Sequence, residues 1–294
     1  MMEISKPANP LIALLPITLP FPFLMWYLPE LSPLEAAFCV YTFAVSYAFV
    51  KSLSTKNHSV VDEMWSILPI YYVYIFTARM NNIRSYIMLS LVTMWSLRLS
   101  YNFYRKGGYR GLEDHRWKVL RETIPNPILW QLFNFFFICA TQNALLFFIC
   151  LPAYYAPKGP LNAIDIVAAV LFLGFLLLET IADNQQWNFQ KEKQRLISEK
   201  KPLPEEFNKG FLYTGLFKYS RHPNFCGEIS IWWIFYLFAQ SFNLSILGPI
   251  SLTLLFQGSS NFTEKISASK YPEYKVYQKI TSKIIPWFSQ KWPQ

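Results

Sequence analysis

Charge is what this chain has least of. Only 15% of its 294 residues are Asp, Glu, Lys or Arg, against roughly a quarter in an ordinary soluble domain, so a water-facing globule could not cover itself with them. Glycine is sparse, with ten residues, which excludes collagen-like or Gly-rich disorder. The four cysteines (Cys39, Cys139, Cys150 and Cys226) lie in or at the edge of apolar segments without a CxxC pair. They read as buried reduced thiols rather than a disulfide framework. With only three histidines, His58, His115 and His222, no metal is expected. Acids are also short, 18 against 27 Lys plus Arg. In so apolar a chain that excess points to loops facing an anionic leaflet, and no nucleic acid partner is expected.

What the chain does have is hydrophobic sequence, 53% overall with 18% aromatic. Windows of about twenty residues pick out 11–28, 34–51, 66–80, 84–104, 128–152 and 162–184, then a hairpin at 229–240 and 243–258. This pattern predicts an all-α, polytopic membrane helix bundle of about seven or eight transmembrane helices, without a separate soluble domain. Pro10, Pro16, Pro20 and Pro22 let the first segment be either an uncleaved span or a re-entrant one. Basic residues gather in 105–121, 191–221 and the tail from Lys265 to Lys291. An even number of spans separates these stretches, so the excess of positive charge on the cytosolic side puts all three there, with both termini. Arg79, Arg84 and Lys158 are left in the lumenal connections.

Ionisable residues near span ends carry the most information, because a charge in hydrocarbon persists only if paired or facing a cavity. Asp62, in Val61-Asp62-Glu63-Met64-Trp65, is either a helix cap or a functional acid. Arg98, Tyr101, Asn102 and Arg105 share one helix face by their spacing, while Glu113-Asp114-His115-Arg116-Trp117 reads as a solvated face. Glu179 and Asp183 stack four residues apart at the end of a long apolar helix, so close to hydrocarbon that they need partners. The densest cassette is Tyr219-Ser220-Arg221-His222-Pro223-Asn224-Phe225-Cys226-Gly227-Glu228, a polar turn leading into a helix, suited to phosphate or carboxylate.

At this cassette the sequence resembles the steroid 5-alpha-reductase superfamily, in particular the branch with a steroid-reductase-like C-terminal domain. The likeness is carried by VDEMW at 61–65, WSLRLSYNFYR at 95–105, the pattern from Glu179 to Gln185, LFKYSRHPNFCGE at 216–228 and SASKYPEYKVYQKITSKIIP at 267–286. It implies an integral membrane reductase, in the endoplasmic reticulum, using NADPH on a lipid or steroid-like substrate. N-terminal spans within 1–125 would hold the lipid and residues 160–294 the cofactor, in a single membrane domain. Carried across, the resemblance makes Asp183, Arg221, His222, Asn224 and Glu228 cofactor-pocket residues, with Glu179, Tyr219, Lys270, Tyr271 and Tyr274 behind them. Arg221 is expected to grip a phosphate. The family's substrate-polarising Glu and Tyr have no clear counterparts here, and Tyr101 and Asp62 stand in for them by chemistry alone, as proton donor and orienting group. The Arg-His-Pro variant also occurs in S-adenosylmethionine-dependent lipid and isoprenylcysteine methyltransferases, which follow it with paired glutamates. Here Glu264 stands singly, which tilts the reading toward NADPH. A binding protein with a degenerate pocket is the non-enzymatic alternative.

Overall fold

Ser32 starts the first helix in a computed structural model that describes residues 30–292. Its hydroxyl accepts from the Glu35 amide at 3.3 Å while the Glu35 carboxylate accepts from the Ser32 amide at 2.8 Å, satisfying two orphan donors reciprocally. Helix α1 (Pro33–Thr55) buries a small-residue stripe of Ala36, Ala37, Val40, Ala44 and Ala48. The remaining helices are α2 (Val60–Trp65), α3 (Leu68–Thr77), α4 (Ile83–Arg105), α5 (His115–Thr123), α6 (Pro127–Tyr155), α7 (Ala163–Ser198), α8 (Glu205–Asn208), α9 (Pro223–Tyr236), α10 (Leu247–Lys270) and α11 (Tyr274–Ile280). Among the described residues there is no strand. The expected first segment, 11–28, lies outside them.

Three helices, α1, α6 and α7, are long and apolar enough to cross a membrane. The other expected spans are shorter or more polar as helices. Helix α3 has ten residues and α9 fourteen, about 15 and 21 Å at 1.5 Å per residue, short of a core of about 30 Å. Helix α10 is apolar only at its start and turns polar from Asn261, with Thr263, Glu264, Lys265 and the terminal Lys270 beyond.

The chain divides into two compact units, the first formed by residues up to Ala169 with Phe235–Pro249 and the second by Val170–Ile234 with the residues from Ile250 onward. In the first unit α1 packs on α3 and α6, and α3 on α4. Helix α6 carries a π-helical stretch, Asn134–Thr141, where Thr141 Oγ1 donates to the carbonyl of Phe136 five residues back. There the fully buried Asn134 donates to Ser52 Oγ of α1 at 2.9 Å.

Arg84, expected in a lumenal connection, is buried at the start of α4. Its Nε and Nη2 donate to the two Asp165 oxygens at 2.7 Å each, and its remaining donors reach the carbonyls of Pro157, Gly159 and Pro160. The guanidinium is thereby neutralised and fully hydrogen-bonded, the condition on which a charge can be buried at all.

In the second unit two aromatic clusters flank the polar cassette. Phe189, Leu196 and Phe207 form one, and Phe211, Tyr274 and Tyr277 the other. Tyr277 Oη donates to the carbonyl of Phe217, so α11 is stitched to the residues just before the cassette.

Candidate functional site

One turn of α7 and one turn of α9 bring four polar side chains together in the second unit. Glu179 and Asp183 share a face of α7, and Asn224 and Glu228 share one of α9, each pair four residues apart. Glu179, Asp183 and Glu228 are each only 5% exposed. Asn224 Nδ2 donates to Asp183 Oδ1 at 3.4 Å, and Glu228 Oε1 accepts from Trp232 Nε1 at 2.9 Å. Gly227 makes the approach possible, because a Cβ there would stand 2.8 Å from Glu179 Cβ and 3.2 Å from the carbonyl of Phe175. The loop entering α9 is fixed to the same helix. Gly215 takes a left-handed φ of 60° with Gln185 where its side chain would be, and Gln185 Oε1 accepts from the Leu216 amide at 2.9 Å.

Beside this cluster lies Arg221, expected to grip a phosphate and here engaged by groups of the protein itself. Its Nε donates to Glu264 Oε1 at 2.7 Å and its Nη2 to Glu264 Oε2 at 3.2 Å, while Nη1 serves the carbonyls of Gln278 and Thr281. Four of its five N–H donors are engaged in this way, so the fork cannot also grip a phosphate bidentately in this arrangement. Its work is to tie cassette, α10 and tail together. His222 Nε2 lies 2.9 Å from Glu264 Oε1 with its ring stacked on Phe225, and Gln278 Nε2 donates to Glu264 Oε2 at 2.7 Å. Burial alone would raise the Glu264 carboxyl, but the hydrogen bonds from His222, Arg221 and Gln278 together with the Arg221 charge hold it down at about 2. The turn's backbone is paired as well, Arg221 and His222 amides donating to the carbonyls of Ser282 and Lys283 at 2.8 and 3.0 Å.

The other expected cofactor residues are placed as follows. Tyr219 is exposed, its carbonyl accepting from the Trp287 amide. Tyr274 is buried in the aromatic cluster with Phe211. Tyr271 Oη accepts from Lys193 Nζ at 3.2 Å, and Lys270 is the exposed last residue of α10. Hence the expected set divides into the α7–α9 cluster, the Glu264 fastener and residues that support α10 and α11.

The first unit holds the two residues expected to handle a proton. Asp62 Oδ2 accepts from Trp117 Nε1 at 3.3 Å. Its burial, only partly offset by the Arg116 charge and the bond to Ser59, pushes the carboxyl up to about 6. The helical stripe containing Tyr101 divides, for Asn102 is buried and accepts from Arg105 Nε at 2.9 Å while Tyr101 is 63% exposed beneath the Arg105 guanidinium.

Of residues 113–117, read as a solvated face, His115 is exposed but Glu113 and Trp117 are tied inward. Glu113 accepts from the His58 amide at 2.9 Å and from Arg121 Nη2 at 2.6 Å, and Trp117 is buried. Trp130 Nε1 donates to His58 Nε2 at 3.0 Å, and His58 Nδ1 lies 3.0 Å from Glu113 Oε1 and 2.9 Å from Arg121 Nη2. Sequence reasoning missed this cluster because its members are 55 to 72 residues apart.

The protein family described as "Protein of unknown function (DUF1295)" matches residues 48–281. The chain belongs to this family. Both the α7–α9 cluster and the Glu264 fastener fall within the matched range of this DUF1295 protein. It is also similar to an uncharacterized protein of Schizosaccharomyces pombe, 40% identical over 256 residues, which covers 80% of this chain and 74% of that protein. No solved structure matches the chain.

Proposed function

We propose that this DUF1295 protein is a membrane-embedded, NADPH-dependent reductase of a conjugated C=C in a lipid or steroid-like substrate, with about seven or eight spans and a cytosolic cofactor region in the endoplasmic reticulum. The observation that carries the reading is the cluster of Glu179, Asp183, Asn224 and Glu228, three buried carboxyl side chains with a half-buried amide bonded to one of them, at the end of an apolar helix. Its support is the resemblance to steroid 5-alpha-reductases over the same residues.

The donor set fits part of such a cofactor. Asp183 and Asn224 suit ribose hydroxyls and the carboxamide, and Glu179 and Glu228 place acidic groups around whatever sits beside them. When bound, NADPH supplies a hydride and is left with a cationic nicotinamide ring. Carboxylates held in place before the reaction stabilise positive charge that develops among them, at no cost in reorganisation. Arg221 acts as a positioning residue, three residues ahead of Asn224. Asp62 is the better supported proton handler of the two named, since a carboxyl with a pKa near 6 still carries a proton in mildly acidic surroundings.

The same acidic cluster favours a second reading, a lipid methyltransferase, because S-adenosylmethionine carries a sulfonium cation and a ribose. A thermal-shift titration of the detergent-purified chain separates the two, since a ligand seen only by the folded state stabilises it by RT ln(1 + [L]/Kd). NADPH should raise the melting temperature dose-dependently, more than NADH, and Asp183→Asn with Asn224→Ala should abolish the shift. A shift with S-adenosylmethionine alone would establish the methyltransferase reading, and no shift with either in folded protein would favour the binding protein.

A further inference from the structure

The segment after α11 displays large apolar side chains to the outside while its backbone is held fast. Ile285, Trp287 and Phe288 are 74, 71 and 83% exposed, and the two rings are 6.2 Å apart. This is not the exposure of a loose tail. The Ile284 carbonyl accepts from Ser220 Oγ at 2.7 Å and the Ile285 carbonyl from Ser282 Oγ at 2.5 Å, while the Trp287 amide donates to Tyr219 and the Gln290 amide to Ile280, both at 2.9 Å. A backbone pinned at both ends has lost its entropy in advance, so the projecting side chains are preorganised to meet something.

The level at which they project is set by their neighbours. The cassette holding this segment precedes the apolar run of α9, and Lys283 Nζ donates to Gln257 Oε1 and Asn261 Oδ1 of α10 at 3.1 and 2.7 Å, where that helix turns from apolar to polar. Both junctions mark where hydrocarbon gives way to water in a chain that spans a membrane. Beside the segment is an open groove of about 540 Å³ whose lining includes Lys218, Lys291, Thr214, Ser289 and Trp292. Among the described residues no carboxylate pairs with Lys218 or Lys291. Two uncompensated ammonium groups and hydroxyl donors beside exposed aromatic and branched side chains match the two halves of an anionic phospholipid.

We propose that residues 285–292 form an interfacial anchor, in which Ile285, Trp287 and Phe288 enter the boundary between headgroups and acyl chains and Lys218 with Lys291 holds the phosphate of an anionic lipid in the groove. The anchor fixes the tail over the cassette from the membrane side, as Arg221 and Glu264 fix it from within. It stands independently of which cofactor the protein uses.

The full chain, purified in mild detergent, can be titrated with short-chain phosphatidic acid and, in parallel, phosphatidylcholine. Phosphatidic acid should bind preferentially, and Lys218→Gln with Lys291→Gln should weaken it about thirtyfold, from the usual contribution of a lysine near an anionic surface. Both lysines are exposed, so the variant should keep the wild-type melting temperature. In nanodiscs, an environment-sensitive fluorophore on Phe288→Cys, or separately on Ile285→Cys, each in a Cys39→Ser background, should emit blue-shifted and be quenched by nitroxide-labelled lipid. Water-like emission at both positions would overturn the anchor. So would lipid binding indifferent to the lysines, ready displacement of the lipid by inorganic phosphate or NADPH, which would make the groove a soluble-anion site, or a blue shift that tracks protein self-association.

Discussion

Glu264 and Asp62 are acids displaced in opposite directions, and the difference fixes how each responds to pH. In the folded chain Glu264 lies at about 2 against an ordinary value of 4.5. Its contribution is therefore complete above about 4.5 and lost as pH falls through about 2. Asp62 lies at about 6 against 3.8. The folded state here holds a proton the unfolded state releases, so its favourable contribution is complete below 3.8 and lost as pH rises through about 6. Two substitutions should then behave oppositely at pH 7.5. Glu264→Gln leaves the buried Arg221 charge without its counter-ion and should destabilise by about 3–5 kcal/mol. Asp62→Asn removes an unfavourable buried charge while keeping an acceptor for Trp117, and should raise the melting temperature at pH 7.5 but leave it nearly unchanged at pH 4. Thermal denaturation of both variants across this range checks the pair, and a destabilised Asp62→Asn protein at pH 7.5 would contradict the assigned direction.

Helices α7 and α9 meet in the second unit through a contact that only a missing side chain permits. At Gly227 even a methyl group meets Glu179 Cβ at 2.8 Å, and its backbone neighbours at 3.2 Å cannot swing aside as a flexible chain would. Gly227→Ala should consequently push the helices apart at the level of Asp183 and Asn224, costing about 1–3 kcal/mol by overpacking. Because Asn224 and Glu228 flank the site of strain, ligand-induced stabilisation should fall further than stability itself, which a side-by-side measurement of melting temperature and nucleotide shift would show. An alanine protein with wild-type stability and shift would mean the helices have room to spare. The pairing of these helices was half legible beforehand. The Glu179–Asp183 face and the Asn224–Glu228 turn follow from helical spacing, but nothing local says that Glu264, forty residues on, takes up Arg221 and His222. That bond depends on where α10 and α11 pass the cassette, which spacing alone does not encode.

At the scale of the whole molecule, composition made the all-helical class and the long apolar helices legible, since apolar windows of about 18 residues within helices of 23 to 36 residues have few other uses. The same signal could not mark Arg84 as buried, because a sequence window sees its charge and not the Asp165 that cancels it. Nor did it limit α3 to ten residues, because a window of about twenty residues averages across the polar positions Arg79 and Asn81 that follow the helix. The charge pattern that survives this correction still carries a topology. With Arg84 neutralised by Asp165, the connections expected in the lumen present less uncompensated positive charge, so the contrast with 105–121, 191–221 and the tail sharpens, which would favour the cytosolic side for the three basic segments. We therefore expect single cysteines placed at Lys118, Lys200 and Lys291, in a Cys39→Ser background, to react with an impermeant maleimide added outside sealed microsomes. A cysteine replacing Lys158 should react only after the membrane is permeabilised. Protection of any of the first three would break the even span count between the basic segments, and protection of the last of them alone would require α9 or α10 to enter the bilayer and return on the side it came from.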